Sequence, residues 1–566
     1  MSSDVRWTRL AFAVLLLFVV LGMAALSAVG APRIEVTVGI AGHVVRLHYA
    51  PIWVEVSGLD EATDGSIVVR QKIGNPAEDP ADIEHVLIRD SLSDGIYEAT
   101  VPVYDPLNPL EVSLAAEDGS VLARSIVNVR MNRRTSRFPA VCGFTTQVAE
   151  DAVFIDTADL PADWWGFDGL RSLWLGGDCT LSNAKWQSVA EWTLAGGSLI
   201  VLTGSDFYRM DSPALHRLLP ITDPRLETSW KGEHVLVGDL KAGARVVTGS
   251  GPLPLVISGQ YGAGQVLMVT KAASDVSPPE LAAIVAGVPS ARNLTAQRVS
   301  DAVLREMSVI RPSYLTAPAI VVASLGVFAW FAKWVERRPR RAMGGLAVSV
   351  VIFAVLSGLY TNPANRPVDL YISNTTITVQ DGYGVDIGWY SLYSSRAREL
   401  ALNHEGESHV LQSLIRAAPE ASFDSASDPS TTWLPLETHE TRELEFYGRE
   451  PVLVEVRVIG NAASVVNRTG QVIEHAIVLS KGLVYRLPPI VKGEQTLALE
   501  NGEETYVYES GHVALDLVFK RFEDRLGLFT RTWLVLFEEA EAVLREGKLG
   551  RKVRDTSVHL IRAETT

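Results

Sequence analysis

Cysteine is nearly absent from this chain. Cys142 and Cys179 are the two present in 566 residues, which excludes a scaffold built on disulfides and any C-x-x-C zinc or redox motif. No H-E-x-x-H occurs, and the eleven histidines are dispersed. The nearer pairs, His43 with His48 and His404 with His409, lack metal-ligand spacing, so no metal site and no cofactor is expected. A Walker A sequence is missing too. Gly259-Gln260-Tyr261-Gly262-Ala263-Gly264 precedes an apolar run instead of opening a helix, and reads as a turn, not a phosphate cradle. Positive charge is in deficit: 51 Lys and Arg stand against 66 Asp and Glu, a net charge of −15. That balance favours solubility and is a poor match for phosphate backbones, which argues against nucleic acid as a partner.

Apolar residues are plentiful, at 47% against 21% charged. The chain can bury real cores and is long enough for roughly three to five domains. Three apolar segments stand out. Residues 1–31 read as a signal peptide or N-terminal membrane anchor, led by Arg6 and Arg9. Residues 315–332 and 343–360 carry no charge and match the roughly 20 residues that cross a hydrocarbon core of about 30 Å, which predicts a helical transmembrane hairpin. Between them, residues 333–342 hold Lys333, Arg337, Arg338, Arg340 and Arg341 against a single acid, Glu336, a cytoplasmic signature. This predicts a multi-pass cell-membrane protein with its large domains on the extracytoplasmic side, touching the lipid bilayer and envelope protein partners.

Residues 32–132 read as a β-sandwich. Arg33 to Val38 alternates polar and apolar, the stretch from Pro51 to Val56 repeats the pattern, and Asp64-Gly65, Asp94-Gly95 and Asp118-Gly119 mark turns. Residues 138–275 change character. Short apolar strands recur, one ending in Gly176-Gly177, and a helix runs from a Ser182 cap to Gly196-Gly197, which predicts a parallel α/β sheet of flavodoxin or amidotransferase type. Residues 276–314 read as a helical connector. Residues 361–566 read as a β-rich domain, with Ala417 to Thr432 a mobile loop and Thr532 to Glu546 an amphipathic helix. The fold class expected is therefore multi-domain, α/β plus all-β, with transmembrane helices.

The run Phe167-Asp168-Gly169-Leu170-Arg171-Ser172-Leu173-Trp174-Leu175-Gly176-Gly177, followed by the helix and by Gly196-Gly197-Ser198-Leu199-Ile200-Val201-Leu202, resembles the class I glutamine-amidotransferase-like fold. The resemblance covers about a quarter of the chain and implies a bacterial multi-domain membrane protein. That chemistry needs a thiolate on a strand-to-helix elbow, activated by histidine. The elbow position after Leu202 holds Thr203-Gly204-Ser205 instead. The resemblance so implies a catalytically inactive domain.

What is left for a site is polar. Asp178 and Asp206, with Thr203 and Ser205, fall at the carboxyl ends of two predicted parallel strands, the edge where α/β sheets take ligands. The competing reading is that these residues cap turns and helix starts. Cys142 and Cys179 lie in one predicted domain and are candidates for a disulfide. Asn293, Asn374 and Asn467 open formal glycosylation sequons. The function expected is a non-enzymatic binding or assembly protein. The alternatives are a hydrolase or small-ligand site at Asp178, Thr203 and Asp206, and a regulatory subunit of an envelope complex.

Overall fold

The computed structural model describes residues 32–277, except 60–61, 74–80, 145–150, 230–231 and 250–252, together with Glu280 and Ile284. Further along it describes 369–394, 398–403, 407–413, 421–424, 431–436, 440–449, 451–504, 532–540 and 552–565. Two compact units emerge: residues 1–293 with 417–432, and residues 294–416 with 433–566.

The first unit opens with strands β1 (Arg33–Val38), β2 (Val44–Val45), β3 (His48–Ser57), β4 (Thr63–Ile73), β5 (Ala81–Leu92), β6 (Gly95–Val103), β7 (Leu110–Ala116) and β8 (Val121–Val127). β1, β3 and β6 pair antiparallel in one sheet; β5, β4, β7 and β8 do so in another. Both sheets contribute to one core. Ile52, Val54 and Val56 of β3 meet Ile67 and Val69 of β4 and Val112 and Leu114 of β7. Period-two alternation explains this, since it sends every second side chain of a strand to the same face. Each such fully buried Val, Leu or Ile contributes about 1.5–3 kcal/mol relative to exposure.

A short β9 (Arg133–Arg134) leads into an α/β layer. Its strands are β10 (Phe138–Cys142), β11 (Val153–Ile155), β12 (Leu170–Leu175) and β13 (Ser198–Leu202), then, after the β14 (Ile221–Thr228) and β15 (His234–Leu240) hairpin, β16 (Arg245–Gly249), β17 (Pro254–Tyr261) and β18 (Gly264–Val269). The sheet order is β11-β10-β12-β13-β18-β17-β16. The first five pair parallel and the last two antiparallel. All five residues of β10 and of β13 are buried, as central parallel strands covered on both faces must be. Helix α1 (Asn183–Leu194) is started by Ser182, whose side chain accepts from the Lys185 N–H, and it buries Trp186, Val189 and Trp192. Gly197 is required just beyond it, because a Cβ there would lie 2.4 Å from the Trp192 ring. Two short helices follow, α2 (Phe207–Met210) and α3 (Pro213–Leu218). Strand β17 extends through Gly259 and Gln260, so the glycine-rich turn is shorter than its sequence suggests.

In the second unit the regular elements among the described residues are strands. Val454–Ile459, Ala462–Asn467 and Gly493–Ala498 form an antiparallel meander. Trp533–Ala540 lies between Lys552–Arg562 and Ala476–Ser480 in a larger sheet. This corrects the amphipathic helix expected over 532–546. Trp533 to Phe537 is continuously buried, with Trp533 at 0% exposure, and a short apolar run rich in Trp, Val and Phe fits a doubly covered strand. Ala421–Asp424, inside the expected mobile loop, belongs to the first unit and is a strand parallel to β5.

The expected fold class is corrected in one further respect. Among the described residues no helix is long and apolar enough to cross a membrane. The α-helices whose full extent is described have 12, 4 and 6 residues, and 12 residues rise only about 18 Å. Among the described residues the structure is β-rich and holds no helical transmembrane hairpin, which departs from the expected fold class and from the multi-pass cell-membrane placement built on it. Segments 1–31, 315–332 and 343–360, the connector beyond Ile284 and the basic residues Lys333, Arg337, Arg338, Arg340 and Arg341 lie outside the described residues.

Candidate functional site

The carboxyl ends of the parallel strands are where a ligand crevice belongs in such a sheet. Here they are stitched together. Cys142, at the end of β10, is bonded to Cys179 in the loop after β12, with 5.5 Å between their Cα atoms, and both are buried. Gly143 (φ +77°) follows Cys142, and a Cβ on it would fall 1.7 Å from the Gly176 carbonyl oxygen. Gly204 (φ +44°), after β13, leaves no more room: its Cβ would sit 2.2 Å from the Ala272 nitrogen beyond β18. Only glycine allows backbones to approach so closely at positive φ. Direct hydrogen bonds complete the closure, from Gly176 N to Cys142 O (3.1 Å) and from Gly204 N to Thr270 O (3.1 Å).

Each residue singled out at this edge is accounted for. Thr203 is fully buried, and its hydroxyl donates to Val269 O at 2.9 Å. The Asp206 carboxylate accepts from Gly177 N (3.2 Å) and Ala273 N (3.3 Å), tying the loops after β12 and β18 to the one after β13. Asp178 is 85% exposed at its side chain and pairs with Arg209. Ser205 is exposed. The four share one edge of the sheet: Thr203 and Asp206 hold backbone groups, Asp178 pairs with Arg209 and Ser205 is exposed. The geometry is that of turn capping and loop anchoring. Both thiols are spent on each other, and among the described residues no cysteine is free.

A cluster that spacing does not reveal lies where β3 meets the α/β layer. Asp168, 6% exposed, accepts from His48 Nδ1 (2.9 Å), Arg137 Nη2 (2.8 Å) and Tyr49 N (3.3 Å). Burial alone would raise this carboxyl. The charges of His48 and Arg137, with the hydrogen bonds from His48 and from Tyr49 N, outweigh it and hold Asp168 well below the usual carboxylate range. An Asp–His pair suggests a catalytic dyad. Among the described residues, however, His48 contacts no serine, threonine or cysteine, and Arg137 at 3.5 Å is its other polar neighbour. The cluster is a clamp between the β-sandwich and the α/β layer. Glu98 of β6 reinforces it by accepting from Ala162 N at 2.6 Å. The partners are separated by 120 and 31 residues, so no local pattern could announce them.

The remaining motifs take structural roles. Among the described residues no group of three or more His, Cys, Asp or Glu could hold a metal. Asn467 is 1% exposed, and its amide nitrogen donates to Gln471 O and Ile490 O, so this sequon is not presented for modification. Trp164 and Trp165, at the start of the clamp segment, are both buried and pack edge to face. The sequons at Asn293 and Asn374 fall where side chains lie outside the described residues.

No protein-family model matches the chain, and no curated protein does. Among solved structures it is similar to cytoplasmic protein STM1381 of Salmonella typhimurium LT2, at 14% identity, over 23% of this chain and 75% of that one, with a TM-score of 0.19. It is likewise similar to cytoplasmic protein STM3548 of Salmonella typhimurium, at 11% identity, over 26% of this chain and 96% of that one, with a TM-score of 0.21. Likeness at that level carries no argument about fold or activity. The amidotransferase resemblance finds no support in these comparisons, and the disulfide removes the thiols that its chemistry would need.

Proposed function

We propose that this chain acts as a binding or assembly protein that holds another protein and turns over no substrate. The observation that supports it is the closed carboxyl edge of the parallel sheet. The disulfide, the Gly143 and Gly204 contacts and the two backbone bonds of Asp206 occupy the place where a crevice would be. The Asp168 clamp points the same way, because it makes the sandwich and the α/β layer one stiff support. Strand β8 stands at the end of its sheet and exposes Val121 and Ile126, the kind of apolar edge that a partner chain covers.

The test pairs two measurements on the full chain. Purified from its source with gentle crosslinking, it should carry a protein partner in fixed stoichiometry. In a screen of p-nitrophenyl esters and phosphates it should show no turnover beyond that of Asp178→Ala or Ser205→Ala. Hydrolysis that either substitution removes while the fold survives would overturn the reading in favour of a hydrolase at this edge.

A further inference from the structure

Away from the closed edge, one face of β16, β17 and β18 holds a cavity of about 390 Å³. Small-molecule sites fall between about 300 and 1,000 Å³. The strand register explains what lines it. Arg245 stands opposite Ser258, and Ser258 opposite Leu267. Gln260 stands opposite Gln265. A bulge between Val246 and Thr248 inserts one residue, so Thr248 comes opposite Val256 and joins the face that Arg245 occupies. The result is two-sided. Val256, Leu267 and Ile284 form a buried apolar floor. Arg245, Thr248 and Gln260 form a polar margin.

The polar margin is uncommitted. Gln265 is engaged, donating from Nε2 to the Ser258 hydroxyl at 2.7 Å. The side chains of Arg245, Thr248 and Gln260 have no hydrogen bond or ion pair among the described residues. A guanidinium on one face with a hydroxyl and an amide, over a buried apolar floor, is complementary to a carboxylate on a short apolar body. Arg and carboxylate match as a two-pronged, charge-assisted pair.

We propose that this cavity binds a small organic anion, a monocarboxylate with a short aliphatic tail. The carboxylate sits on Arg245, with Thr248 and Gln260 as further donors, and the tail lies over Val256, Leu267 and Ile284. The cavity's lining residues are none of those on which the assembly reading rests, so the two readings stand or fall independently.

Calorimetric titration of the full chain with hexanoate tests it. One saturable site is expected, with a Kd on the order of 1 mM or tighter for a ligand of this size. Hexylamine and hexanol should bind at least about tenfold more weakly, since a charge-assisted bond contributes more than about 1.4 kcal/mol. Arg245→Gln should weaken hexanoate about tenfold or more by the same loss. Val247→Trp, at an exposed position on the cavity wall, should weaken it by filling space. Both positions are exposed, so circular dichroism should show an unchanged fold. Absence of saturable hexanoate binding, equal binding of hexylamine, or an Arg245→Gln variant that binds as the parent does would overturn the proposal.

Discussion

Asp168→Asn probes the clamp most directly. The carboxylate accepts from His48, Arg137 and the Tyr49 backbone, and Arg137 beside it is 15% exposed at its side chain. Asparagine keeps the shape but brings no charge, and its NH2 faces donors with a donor. Breaking a buried ion pair from one side costs about 3–5 kcal/mol; His48, a quarter exposed, can regain some water, which places this case near 3 kcal/mol. The effect has a signed pH dependence. Asp168 is held ionised well below its ordinary value of 3.8 in the folded chain and returns to that value on unfolding. At neutral pH both states are ionised and the stabilisation is complete. As pH falls through about 4, the unfolded chain binds a proton that the folded chain refuses. Parent stability then drops by about 1.4 kcal/mol per pH unit through this group, and the variant lacks that term. The gap should therefore be widest at pH 7 and shrink towards pH 3. Guanidinium unfolding followed by tryptophan emission at pH 7, 5 and 3.5 measures it, since Trp164 and Trp165 are buried beside the clamp. A loss under about 0.5 kcal/mol at pH 7, within the range of ordinary surface substitutions, or a gap that widens in acid, would refute the reasoning.

Other outcomes can be checked in parallel. Replacing Cys142 and Cys179 together by alanine opens a loop of sequence separation 37 and should cost about 4 kcal/mol on the chain-entropy scale, read as a lower denaturation midpoint, with a slope no smaller than the parent's because the freed unfolded chain is more expanded. Gly143→Ala should cost about 2–3 kcal/mol or more, because the residue sits at φ +77° with a carbonyl oxygen in the place of its Cβ; melting temperature reports it. His85 is buried, and desolvation pushes it down to about 3. The unfolded chain therefore gains a proton there from about pH 6.5 downwards while the folded chain does not, so His85→Phe should flatten part of the acid loss between about pH 6.5 and 3, and parallel profiles would contradict this. Trp533→Ala should cost about 3–5 kcal/mol if Trp533–Ala540 is a core strand, and far less if that residue lay on a surface helix.

Local pattern by itself determined a good deal. The alternation in Arg33–Val38 and Val454–Ile459, the Ser182 cap of α1 and the apolar run Leu199–Leu202 of β13 are each legible because neighbouring residues settle a backbone preference and a buried face. The four polar residues at the sheet edge could be placed there for the same reason, since strand ends follow from the extent of each apolar run. Only the tertiary structure decided what that edge does. Whether Asp206 faces a crevice or two backbone amides depends on loops 29 and 67 residues away. It also decided that Trp533–Ala540 is a strand, because a short apolar run takes its form from the surfaces that cover it. The meeting of Asp168 with His48 and Arg137, and of Arg245 with Gln260 and Leu267 around one cavity, is of the same kind. Such groupings are set by sheet order and register, which join residues that no local spacing relates.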